Sequence, residues 1–330
     1  PYLEYHRVLH EGVFAAATAL YGITFHARPD LRGFTPDSEV YEVREADGTP
    51  LGAVILDPFT RPTKRGGAWM TSVVDQSELT GALPVVTNTC NFTRPAEGAA
   101  CLLTWDNVIT MFHEFGHALH GLLSEVRYPS RAGTAVPRDF VEFPSQVNEL
   151  WAWDETLISR FAVHHETGEP LPPELATRLR VSRSAGEGHH TLELVAAMLL
   201  DQAWHTTVLE ELPTSVEELE SFEAAALERA GVAHELVPPR YRSCYFSHVF
   251  GGGYAAAYYG YLWAEVMDAD ACAWFADNGG LCRSAGERFR RELLGRGGSI
   301  EPMQAWRNFR RADPDVSHLL RRKGLPVEQR

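Results

Sequence analysis

The feature that most restricts how this chain can fold is a pair of histidines four residues apart, in His113-Glu-Phe-Gly-His117. Side chains at i and i+4 of a helix share one face, about one turn apart, so both imidazoles can reach a single ion. The surrounding residues favour that helix. Thr104 suits the N-cap, and Val108, Phe112, Phe115, Leu119 and Leu122 form an apolar stripe that runs on to about Glu125. Zinc takes nitrogen ligands at about 2.0–2.1 Å, and catalytic zinc sites use three protein ligands plus water. Glu114 stands beside the first ligand, where its carboxylate can take a proton from that water.

A single straight helix does not supply the third ligand. His120 is seven residues beyond His113, roughly 10.5 Å along the axis, and reads as packing or solvent-facing. Gly121-Leu-Leu lacks the downstream glycine and histidine of the metzincin pattern. A carboxylate from a second helix remains, as in His2Glu sites. Glu142 is the leading candidate, 29 residues after His113, enough for the helix to end, a loop to turn and a second helix to return. By position alone Glu149 and Glu155 are rivals.

The rest of the chain reads as mostly α with one small antiparallel sheet. Arg7–Tyr21 has helical apolar spacing. Val40–Val43 and Leu51–Leu56 are β-prone runs around a turn, and Gly67–Ser72 and Leu83–Thr89 suit further strands, giving three or four in all. Tyr128–Pro137 reads as a loop. Helical patterns follow at about Phe140–His164, Pro172–Arg183, Thr191–Glu210, Val216–Ala230, Gly253–Ala269, Ala285–Leu294 and Pro302–Arg311.

Composition removes several function classes. Thirty basic against 44 acidic residues give a net charge of −14, without a basic cluster, which disfavours a nucleic-acid partner. No apolar run reaches the roughly 18 residues that span a bilayer. Five cysteines without CxxC spacing argue against a disulfide framework or zinc ribbon, and a cytoplasmic, reducing setting is expected.

Longer motifs add a family. Phe112-His-Glu-Phe-Gly-His-Ala-Leu-His-Gly121 and Pro137-Arg-Asp-Phe-Val-Glu-Phe-Pro-Ser-Gln146 resemble the thimet oligopeptidase (M3) family of zinc peptidases, with the closest likeness to bacterial peptidyl-dipeptidases. Lys64-Arg-Gly-Gly-Ala-Trp-Met70, Phe246-Ser-His-Val-Phe-Gly-Gly-Gly-Tyr254, Tyr258-Tyr-Gly-Tyr-Leu-Trp263 and Arg296-Gly-Gly-Ser299 agree, and the likeness runs to about Leu325. Ser184-Ala-Gly-Glu-Gly-His-His190 departs from the family pattern.

The resemblance implies a mainly α, neurolysin-like fold. Residues 1–330 would be its C-terminal catalytic domain, with a sheet region at about 39–90 and a helical zinc-site region at about 103–325; the family's N-terminal half is absent. It implies one zinc ion on His113, His117 and Glu142, with Glu114 as general base. It also maps His248, Tyr254, Tyr258 and Tyr261 to positions that contact substrate or stabilise the transition state. Tyr261 is the first choice and Tyr258 the second for donating to the oxyanion, and Tyr254 and His248 are substrate-binding. Asp139 and Glu149 are candidate partners for the ligand histidines' free N–H groups. The implied activity is removal of C-terminal dipeptides from short peptides. Internal cleavage by an oligoendopeptidase, a catalytic fragment with little activity, and a non-catalytic zinc-stabilised binding module are the alternatives.

Overall fold

The computed structural model describes residues 1–182 and 185–327. Residues 5–21 make one helical rod with a π segment, Val8–Phe14, between α segments Tyr5–Arg7 and Ala15–Tyr21. A five-stranded sheet follows: β1 (Thr24–Ala27), β2 (Glu39–Arg44), β3 (Pro50–Phe59), β4 (Trp69–Val74) and β5 (Val85–Phe92), in the order β1-β2-β3-β5-β4.

The sheet corrects the expected antiparallel one of three or four strands. β3 and β5 run parallel, with Val54 opposite Val86, while the other three pairings are antiparallel. After β3 the chain crosses to the far edge, lays down β4, and returns as β5 between β4 and β3. Strand order of this kind leaves no trace in period-2 alternation. β1 escapes detection because it is four residues long and half exposed.

The helix Trp105–Leu122 lies against this sheet. Thr104 caps it as expected, within a reciprocal capping box with Asn107. The chain then turns and returns as Arg138–Glu149. Gly116 allows the two helices to touch: a Cβ there would sit 2.6 Å from Ser145 Cα. Two carboxamides tie the Trp105–Leu122 helix to its neighbours. Asn88 on β5 donates to the Glu114 carbonyl at 2.8 Å, and Asn148 donates to the Phe112 carbonyl at 2.6 Å. Behind the second helix, Phe143 packs edge-to-face on Phe289 and Trp306, all fully buried. Each such ring contributes roughly 1.5–3 kcal/mol by burial.

Two expected helices change. The 140–164 pattern breaks into Arg138–Glu149, a 3-10 turn at Leu150–Trp153, and Glu155–Phe161. Asp154 restarts the helix by accepting from the Thr156 and Leu157 N–H groups. The expected Gly253–Ala269 helix begins only at Gly260 and runs as Gly260–Asp277. Gly253 (φ +82°) and Ala256 (φ +54°) are left-handed, which a right-handed helix does not admit. The Thr191–Glu210 pattern forms as Glu187–Thr206 and the Pro172–Arg183 pattern as Pro173–Ser182; Arg183 and Ser184 lie outside the described residues. Among the described residues no helix is long and apolar enough to cross a membrane.

Candidate metal centre and active-site cleft

The helix pair brings three donors together. His113 Nε2 and His117 Nε2 lie 3.3 and 3.2 Å from the same Glu142 Oε2, and all three donor atoms fall within 4.8 Å of one another. Tetrahedral ligands at about 2.05 Å from an ion are about 3.3 Å apart, so the donor set fits a zinc-sized cation. Electrostatics points the same way. Burial works against a charged His113, yet the carboxylates of Glu142 and Glu149 hold its pKa well above the ordinary range. Burial likewise opposes charge on Glu142, and the two imidazoles nevertheless hold it well below the usual carboxylate range.

Each donor has its own support. Glu149 Oε1 lies 2.7 Å from His113 Nδ1 and fixes that ring's orientation. Glu142 receives the Tyr254 hydroxyl on Oε1 at 2.6 Å, leaving Oε2 towards the histidines. The other expected partner, Asp139, accepts from the Tyr259 hydroxyl at 3.1 Å and touches neither ligand. Glu155 is not among the clustered donors. His120 is fully buried, and neither ring nitrogen has a partner among the described residues, so it is packed rather than solvent-facing.

The donors line a cleft of about 870 Å³ together with Glu114, His248, Tyr254 and Tyr261. Glu114 is buried, its Oε2 has no hydrogen-bond partner, and desolvation raises its pKa despite the neighbouring imidazoles. His248 also lines the cleft; its Nδ1 is unpartnered, and burial lowers its pKa. Burial and the charge of Glu142 raise the pKa values of Tyr254 and Tyr261, keeping both hydroxyls protonated. Their rings stack at 5.3 Å. Tyr258 sits behind them, packed on Tyr241, Phe246 and Tyr261 and outside the cleft lining.

Asp201, which the motifs did not single out, organises this tyrosine segment. Fully buried, it accepts the backbone N–H of Ala256 at 2.9 Å and of Tyr258 at 3.0 Å, and pairs with His205 at 2.8 Å. Gln202 donates to the Ala256 carbonyl at 2.9 Å. Side chain and backbone thereby hold Ala256 in its left-handed conformation, which costs on the order of 1–3 kcal/mol on its own. The available signal was an acid directly following the apolar run Ala196–Leu200, four residues past buried Ala197. Lys64, quoted only as part of a motif, is a buried anchor that donates to the carbonyls of Asp57 and Phe59, just before the cleft-lining residues 65–70 that lead into β4.

Known proteins resemble this chain over nearly its whole length. The dipeptidyl carboxypeptidase of Escherichia coli (strain K12) is 44% identical over 327 residues, covering 99% of this chain and 48% of that protein. Oligopeptidase A of the same organism is 37% identical over 330 residues, covering 98% and 48%. The chain thus spans about half the length of these curated relatives. A solved carboxypeptidase from Pyrococcus furiosus shares the fold at TM-score 0.52 and 14% identity, over 81% of this chain and 53% of that one. The pattern that defines peptidase family M3 matches residues 1–325, and the chain belongs to that family.

Proposed function

We propose that this chain hydrolyses short peptides, releasing C-terminal dipeptides, with one zinc ion held by His113, His117 and Glu142. The observation that carries the reading is the convergence of two imidazoles on one Glu142 oxygen, beside a buried Glu114 whose Oε2 is unpartnered. Bound zinc supplies Lewis acidity and a lowered pKa for water. Glu114 takes the proton of the attacking water and passes it to the leaving amine, a role favoured by its raised pKa. Tyr261 stays protonated and donates to the developing oxyanion, a contact worth roughly 2.7–4 kcal/mol in comparable sites. Tyr254 holds Glu142 through Oε1, Tyr258 backs the Tyr261 ring, and His248 hydrogen-bonds the peptide.

The preference for dipeptide release over an internal cut draws on the 44% identity to a dipeptidyl carboxypeptidase, against 37% to oligopeptidase A. Mass spectrometry of an N-terminally blocked hexapeptide incubated with the zinc-loaded chain tests it. Successive loss of two-residue pieces from the C-terminus is expected. A single internal cut favours the oligoendopeptidase alternative, and an intact peptide overturns both.

A further inference from the structure

We propose that Arg138 donates to and holds the substrate's C-terminal carboxylate, an inference that rests on the dipeptide-releasing reading above. An enzyme that measures two residues from a chain end needs a group that recognises that end, and the end is an anion. Apart from the candidate donors and Glu114, the only acidic or basic side chains lining the cleft among the described residues, histidines aside, are Arg65 and Arg138. Neither has a carboxylate partner among the described residues, although the chain as a whole is acidic.

Arg138 is the better placed of the two. Its guanidinium lies over the Tyr254 ring at 5.0 Å, and the Tyr254 hydroxyl is bonded to Glu142. The arginine is therefore held at a fixed offset from a metal donor. A guanidinium without a carboxylate partner can grip a planar carboxylate with two parallel bonds. Gly253 leaves room for it: a Cβ there would stand 3.1 Å from Arg138 Nη2. Arg138 also stands one helical turn before Glu142 on the same helix, and both line the same cleft. Arg65 instead packs over Trp69 at 4.9 Å, beside Gly66 and Gly67, with no bonded link to a metal donor.

The test is an NMR titration of the zinc-loaded chain with alanyl-alanine and with alanyl-alanine amide, which differ only in the terminal charge. The free acid is expected to bind about ten- to hundredfold tighter than the amide, as a charge-assisted double bond implies. Arg138→Gln should reduce that preference to about twofold or less, Arg138→Lys should keep part of it, and Arg65→Gln should leave it intact. An acid preference that survives Arg138→Gln, or is absent from the unsubstituted chain, overturns the proposal. So does its loss in Arg65→Gln alone. The hexapeptide digest is read separately: internal cleavage with an Arg138-dependent acid preference sinks the dipeptide reading and leaves the carboxylate site standing.

Discussion

Glu149 Oε1 meets His113 Nδ1 at 2.7 Å, so a carboxylate outside the candidate donor set orients an imidazole within it. Removing it leaves the three donors in place but frees the imidazole to rotate. Glu149→Ala is expected to weaken zinc binding about 10- to 100-fold without abolishing it. Competition with a chelating dye measures this, and unchanged affinity would count against the orienting role.

Glu114→Gln separates metal binding from chemistry. The carboxamide fills the same space but takes up no proton. Zinc stoichiometry should stay at one while peptide turnover falls by about 10²–10⁴-fold. Undiminished cleavage by this variant would sink the proton-transfer role.

Gly116→Ala tests the contact between the two helices that carry the candidate donors. The added methyl would stand 2.6 Å from Ser145 Cα, against backbone that cannot swing aside. Overpacking of this kind costs about 1–3 kcal/mol. Because the displaced helix carries Glu142, zinc affinity should fall along with the urea midpoint. Stability lost with zinc affinity intact would mean that the helices adjust without moving the carboxylate.

Asp201→Ala should leave zinc binding unchanged while lowering kcat more than it alters KM. The Ala256 and Tyr258 N–H groups lose their acceptor, at about 1–3 kcal/mol of stability. The tyrosine segment that they fix then drifts from the metal site. Steady-state kinetics beside a zinc titration gives both readings, and a matching loss of zinc would assign Asp201 to the metal site instead.

His120 sets an acid limit on stability. Burial, helped slightly by His117, pushes its pKa down to about 3. In the unfolded chain the same ring has its ordinary value of about 6.5. Between those values the unfolded state binds a proton that the folded state refuses, so stability falls as pH drops through that window. The slope is at most about 1.4 kcal/mol per pH unit. Urea unfolding of the chelator-treated chain at pH 7 and 5.5 should show a loss about 1 kcal/mol larger than in His120→Gln. Equal losses in the two proteins would remove His120 from the account.

What the sequence made legible was whatever is local. The His113–His117 spacing, the Thr104 cap and the amphipathic stripe are contained within about twenty residues, and the helix formed as read. Spacing put Glu142 first but left Glu149 and Glu155 as rivals, because direction around a helix that has not yet been placed carries no distance information. Motif likeness separated them, and packing at Gly116 supplied the physical reason. Parallel pairing of β3 with β5 was invisible because alternation reports which face is buried and not which strand lies beside which. The Gly253–Gly260 segment was misjudged as helix because tyrosine spacing resembles an amphipathic stripe; the left-handed Ala256 depends on Asp201, 55 residues away.

The separation between the site's two halves along the chain has a consequence for the order of assembly. All three metal donors come from a 29-residue span, whereas the Tyr254–Glu142 bond closes a span of 112 residues. Loop closure makes the longer connection costlier by about 1.2 kcal/mol of chain entropy. In a chain emerging from the ribosome, all three candidate donors are therefore made more than a hundred residues before Tyr254 arrives to bond Glu142.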